Sequence, residues 1–185
     1  ITDVEFIAGL LRIDNFATAS FEAKKIISKY RCYKGDNVII CDGGGKDSIC
    51  GRSKEISEIL KDKKVEFKLC ILLDGDAKDT KCDVGKTFHL QNKNLDELIF
   101  ITAMKVLSDK EYARKLLENE NDNPDSKLKA YLAEYLFKKY VAQDKKWTNL
   151  GSFYHYVAMN YEDLLLENDE GLNQIIRQCM LKSNP

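Results

Sequence analysis

Apolar positions along this chain fall either at helical spacing or in short unbroken runs, and the alternation of the two predicts its architecture. Val4, Ile7, Ala8 and Leu11 recur at i, i+3, i+4 and i+7, which gives a helix one buried face. Thr2 with Glu5 makes a capping box, and Ile1 and Phe6 are placed for a hydrophobic staple, so this helix begins near residue 3. Asp14 or Asn15 can cap a second helix running to Tyr30, with Phe16, Ala19, Ala23, Ile26 and Ile27 inward. Val38-Ile39-Ile40-Cys41 is an unbroken apolar run and reads as a buried strand entering the glycine loop 42–48. Residues 53–63 return to helical spacing, with Ile56, Ile59 and Leu60 inward.

Leu69-Cys70-Ile71-Leu72-Leu73 is the second unbroken run and reads as a strand buried on both faces. It stops at Asp74 and Asp76, either side of Gly75. A short extended piece at 87–90 follows a polar loop, and a helix over 95–107 carries Asp96 and Glu97 in its first turn, where the helix dipole favours acids. Ser108 with Glu111 opens another helix through a capping box. Beyond it the chain turns helical. Leu128, Tyr131, Leu132, Tyr135 and Leu136 form one stripe over 127–140, a short helix follows Gly151, and Leu172, Ile175, Ile176, Cys179 and Met180 mark the last. Strands alternating with helices predict a parallel sheet built from right-handed crossovers. Trp147, Phe153, Tyr154, Tyr156 and Tyr161 have the composition of a base-stacking platform, but at this spacing they read as core.

Charge and composition narrow the function classes. Twenty-nine basic and 30 acidic residues leave a net charge of −1, so no global field favours nucleic acid or membrane, and polyanion binding needs a local patch or bound metal. The six cysteines show no CxxC or zinc spacing and read as reduced thiols in a cytoplasmic protein. No apolar run approaches the length of a membrane span.

In open α/β sheets the ligand crevice lies outside the carboxyl ends of the strands, which is where Asp74 and Asp76 stand. Carboxylates on adjacent strand ends suit magnesium, which takes hard oxygen ligands and keeps positions for water and phosphate. An Asp-rich turn closing a strand is the plainer account of the same residues. Gly43, Gly44 and Gly45 let backbone approach a phosphate closely, and Lys46 can touch one; a glycine turn joining strand to helix explains them equally.

In order and spacing these segments resemble the TOPRIM domain of the OLD-type (overcoming lysogenisation defect) nucleases and related defence-system proteins. Ile1-Thr2-Asp3 resembles the tail of that family's first acidic motif, with Asp3 as its second acid. Val38–Lys46 resembles the second strand and its turn, Asp74-Gly75-Asp76 matches the Asp-x-Asp, and Leu90–Asp96 resembles the next segment, with Asp96 in the acid position. The resemblance implies a Rossmann-like parallel sheet of TOPRIM type flanked by helices over 1–105, with a C-terminal all-helical extension over 106–185. It implies hydrolysis of DNA or RNA with Mg²⁺ or Mn²⁺. Asp3, Asp74, Asp76 and Asp96 would hold metal, Gly44, Gly45 and Lys46 would meet phosphate, and Lys127, ahead of Lys129, would be the catalytic lysine. An ATPase partner, a role in antiviral defence and a homo-oligomer belong to the same expectation. Gln91 and Asp96 stand where proline and glutamate are commoner in that family. The family's leading glutamate and glycine should precede Ile1, and the expectation is that an upstream strand carries them.

Asp42-Gly43-Gly44-Gly45-Lys46-Asp47-Ser48 also resembles the loop of the ATP-pyrophosphatase (PP-loop) family, with Gly43 in place of its first serine. That alternative leaves Asp76 without a role. A haloacid-dehalogenase-like use of Asp74 and Asp76 would require them after the first strand. A degenerate TOPRIM module that only binds a partner is the third alternative.

Overall fold

A computed structural model describes residues 2–13, 32–34, 38–64, 66–119 and 125–180. The helix expected over 14–30 lies outside them. The architecture is mixed α/β and mostly helical. In order come α1 (Thr2–Leu10), β1 (Cys32–Lys34), β2 (Ile39–Cys41), α2 (Ile49–Asp62), β3 (Cys70–Leu73), a 3₁₀ turn (Gly75–Ala77) and β4 (Lys86–His89). These are followed by α3 (Leu95–Val106), α4 (Glu111–Asn119), α5 (Ser126–Tyr140), α6 (Leu150–Asn160), α7 (Glu162–Asn168), α8 (Glu170–Ile175) and a π-helical turn (Ile176–Met180).

Among the described residues the sheet is smaller than the alternation predicts. β3 and β4 pair in parallel, Cys70 opposite Lys86 through Leu73 opposite His89, whereas β1 and β2 form a separate antiparallel pair. The connection from β3 to β4 carries only the 3₁₀ turn where a full crossover unit would place a helix. No Rossmann-like sheet is evident among these residues. β3 is nonetheless covered on both faces: Ile71 and Leu73 pack with Ala77, while Cys70 and Leu72 pack against the main core.

That core unites early and late parts of the chain. Phe6, Leu98, Ile99, Phe137, Phe153, Tyr154 and Leu172 all belong to it and are almost wholly buried. α1 lies along α6, and α3 lies against α5. The aromatics expected in the core are there, with Phe153 edge-on to both Phe137 (5.4 Å) and Trp147 (5.1 Å).

Two expectations are corrected. The α5 stripe is only partly its buried face: Leu128, Tyr131 and Tyr135 are exposed, whereas Leu132 and Leu136 pack on the core together with Ala130, Ala133 and Phe137. The alanines let α5 approach α3 closely, so the helix turns its small residues inward. The cysteines, expected to be reduced, are cross-linked: Cys50 to Cys82 and Cys70 to Cys179. Their sequence separations of 32 and 109 make no recognisable spacing, because the fold supplies the proximity. No helix among the described residues is long and apolar enough to cross a membrane.

Candidate functional site

The end of β3 is locked onto the start of α3. Asp74 has extended backbone (φ −60°, ψ 153°) and its carbonyl accepts from Ala77 N at 3.0 Å, which turns the chain into the 3₁₀ segment. Asp76 N donates to Lys93 O at 3.2 Å. Gly75 is buried at the closest approach: a methyl group there would overlap Asn92 O and stand 2.7 Å from Leu90 O. Only glycine fits between two acids at that spot, which is why the motif reads Asp-Gly-Asp. Asn94 caps α3, its side chain accepting from Glu97 N at 3.0 Å, so Asp96 is carried on the first turn.

The acids predicted from sequence converge electrostatically. Asp74 still reaches solvent, but packing around its carboxyl group, and then the charges of Asp3, Asp76 and Asp96, push it up to about 6, against one stabilising backbone hydrogen bond from Leu95. Asp3, exposed as a residue, is raised by the packing around its carboxyl group first and then by Asp96 and Asp42. Three segments far apart in sequence, the start of α1, the end of β3 and the start of α3, therefore carry carboxylates that feel one another's charge. Tyr154, buried in α6, donates its hydroxyl to Asp96 Oδ1. Burial first, and then Asp96, hold that hydroxyl protonated.

The other predicted residues occupy different surroundings. Gly44 and Gly45 take positive φ (73° and 93°), as the glycine loop requires. The loop closes on itself: Gly44 N donates to Asp42 Oδ1 at 2.8 Å, and Ser48 Oγ donates to Gly44 O at 2.8 Å. The Arg52 guanidinium fills the space where a Gly44 side chain would stand. Lys46 is exposed at the turn. Lys127 is exposed in the first turn of α5, its backbone N donating to the capping Asp125, whereas Lys129 reaches Glu97 Oε1 at 3.4 Å, one residue from Asp96.

Sequence reasoning missed the residues that hold this arrangement in place. Asp169, fully buried, accepts from Gln91 N (3.0 Å), Asn92 N (2.9 Å), Asn92 Nδ2 (2.9 Å) and Leu172 N (2.9 Å). It caps α8 and clamps the segment whose carbonyl packs on Gly75. The sequence pattern reads Tyr154 as core and Asp42 as part of the glycine loop, and ties neither to the acids. Asp169-Glu170 before Leu172 resembles an ordinary helix start, and nothing in its spacing points back to residue 92.

All-carboxylate donors that repel one another match the chemistry of a hard divalent cation. Among the described residues, however, no group of three or more His, Cys, Asp or Glu side chains is arranged to hold a metal ion. In comparisons with known proteins the chain matches no family model, no curated protein and no solved structure.

Proposed function

We propose that this chain is a metal-dependent nuclease that hydrolyses nucleic-acid phosphodiesters through its acidic cluster, on a scaffold of TOPRIM type and beside an ATPase partner. The observation that carries the reading is that the end of β3 and the starts of α1 and α3 carry acids, Asp74 and Asp76, Asp3, and Asp96, whose charges act on one another. A site that gathers negative charge with this effect is one in which a cation relieves repulsion already present. Asp74 and Asp76 would hold Mg²⁺ or Mn²⁺, with Asp3 and Asp96 completing the donor set. A cation bound there supplies Lewis acidity toward phosphate oxygen and lowers the pKa of its water. The protein's own residues do the positioning: Tyr154 orients Asp96, the α3 start orients Asp74, and Lys127 offers a positive charge for phosphate. Gly44, Gly45 and Lys46 would lie along the nucleic-acid backbone.

The alternative is a degenerate TOPRIM module that binds a partner without cutting. Calorimetry with Mn²⁺ separates the two. Binding by the chain that is lost in Asp74→Asn/Asp76→Asn, together with Mn²⁺-dependent cutting of DNA or RNA, supports the nuclease. Mn²⁺ binding unchanged by the double substitution, or absent altogether, rules it out.

A further inference from the structure

Resting on the nuclease reading, we infer that the exposed face of α5, with Tyr112 of α4, is a track that carries a single-stranded polynucleotide to the acidic cluster. The large hydrophobic side chains exposed among the described residues are Tyr112 (69%), Leu128 (57%), Tyr131 (50%) and Tyr135 (57%). They do not scatter. Leu128, Tyr131 and Tyr135 stand at i, i+3 and i+7 on one side of α5, and α4 packs beside it. Scattered single apolar residues need no explanation, but a contiguous patch rimmed by charge marks a binding surface.

The ends of the patch give it direction. Ser126 Oγ donates to Glu97 Oε2 at 3.3 Å and Lys129 Nζ reaches Glu97 Oε1 at 3.4 Å, so the start of α5 adjoins the first turn of α3, which carries Asp96. At the other end Lys139 follows Tyr135 by four residues on the same side of α5, with its Nζ 5.2 Å from the centre of the Tyr140 ring. Lys127 and Lys139 bracket the aromatics, about 18 Å apart along the helix axis at 1.5 Å per residue. The acidic residue within this stretch of α5, Glu134, is buried and pairs with Lys138 at 2.7 Å.

Exposed rings bracketed by ammonium groups suit a strand whose bases stack and whose phosphates are charged. A second copy of the chain fits less well. A two-fold interface sets the same face against itself, and antiparallel helices would then place Lys127 opposite Lys139, like charge on like. Tyrosines in place of leucines and phenylalanines also favour an occupant with π-faces. The face offers stacking and backbone charge without base-edge readout, so its grip is on single strands of mixed sequence.

The test is fluorescence anisotropy on the whole chain in EDTA, with labelled oligothymidylate and oligouridylate of about 15 nucleotides. The chain is expected to bind a strand with affinity that falls as salt rises. Tyr131→Ala/Tyr135→Ala should weaken binding by at least about tenfold, given the usual contribution of base stacking, with an unchanged circular-dichroism melt. Lys139→Ala should reduce the slope of log affinity against log salt by about 0.7. No binding, or equal binding by the tyrosine variant, overturns the track. So does concentration-dependent self-association that the tyrosine variant abolishes, because the face is then a contact between copies. Since EDTA removes metal, strand binding without Mn²⁺-dependent cutting defeats the nuclease and leaves the track, whereas Mn²⁺ binding and cutting with no role for Tyr131 and Tyr135 does the reverse.

Discussion

Gly75→Ala and Gly51→Ala are the same chemical change with opposite expected signs. At Gly75 the new methyl group would overlap Asn92 O and stand 2.7 Å from Leu90 O, and both obstacles are backbone. Neither can retreat cheaply, because Asn92 is held through N and Nδ2, each at 2.9 Å from Asp169 Oδ2. Overpacking costs about 1–3 kcal/mol and one disturbed hydrogen bond about 1 more, while the stiffer unfolded chain offsets about 0.4–1. The net is a loss of roughly 2–3 kcal/mol, or about 4–12 °C in Tm for a chain of this size. Gly51 lies in α2 with open space around it. Alanine there removes the helix penalty of glycine, worth about 1 kcal/mol, and should raise Tm by about 2–4 °C. Circular-dichroism melts of the three proteins in one buffer decide the matter. A Gly75→Ala protein as stable as the parent would refute the packing of Asp-Gly-Asp against residues 90–92.

Reducing Cys70–Cys179 should destabilise the fold strongly: a loop of about 110 residues is worth about 4.7 kcal/mol in the chain-entropy account. Paired alanine substitutions at these positions should lower Tm by about 10 °C or more, and more than the same change at Cys50 and Cys82, whose separation is 32; equal effects would contradict the loop argument. The folded pKa of Asp74 is raised to about 6, so its contribution to stability is full below its ordinary value of 3.8 and is lost as pH rises through 6. Asp74→Asn should therefore gain stability over the parent at pH 7.5 and lose that advantage by pH 4; a gain independent of pH would show that charge is not the cause. Asp169→Ala strands the backbone N–H groups of Gln91, Asn92 and Leu172 and should cost about 3 kcal/mol or more, read by urea denaturation.

The parts of the fold legible in sequence are those written in local pattern. The unbroken run Cys70–Leu73 predicts β3, the Asn94 cap and apolar spacing predict α3, and the abrupt change at Asp74 marks where the acids stand. That Asp3 and Asp96 belong with Asp74 is what the family resemblance implies; local pattern alone does not connect them, because they lie in three separate segments of the chain. What was hidden depends on choices between faces and on distant partners. Leu128, Tyr131 and Tyr135 have the spacing of a core stripe, but periodicity does not say which stripe wins, and the alanines on the opposite side allow the tighter helix contact. Asp169 and the cysteine pairs act across 32 to 109 residues, distances at which spacing carries no signal.

That same reach across the chain argues that the acidic site and the helical half fold together, and a chain ending at residue 105 tests it. Phe6, Ile7 and Leu10 of α1 belong to the core shared with α6, and Leu98 and Ile99 of α3 to the core shared with α5. Burying these side chains contributes about 1.5–3 kcal/mol each, roughly 7–15 kcal/mol in all, which matches the whole net stability of a typical domain. Truncation also removes Tyr154 from Asp96 and Asp169 from Asn92. The shortened chain should show no cooperative melt and should bind a hydrophobic dye, and its Asp74 region should no longer hold the acids together. A cooperative transition with dispersed amide resonances in the 1–105 fragment would refute this. The helical half would then be an addition to a self-sufficient site rather than part of what builds it.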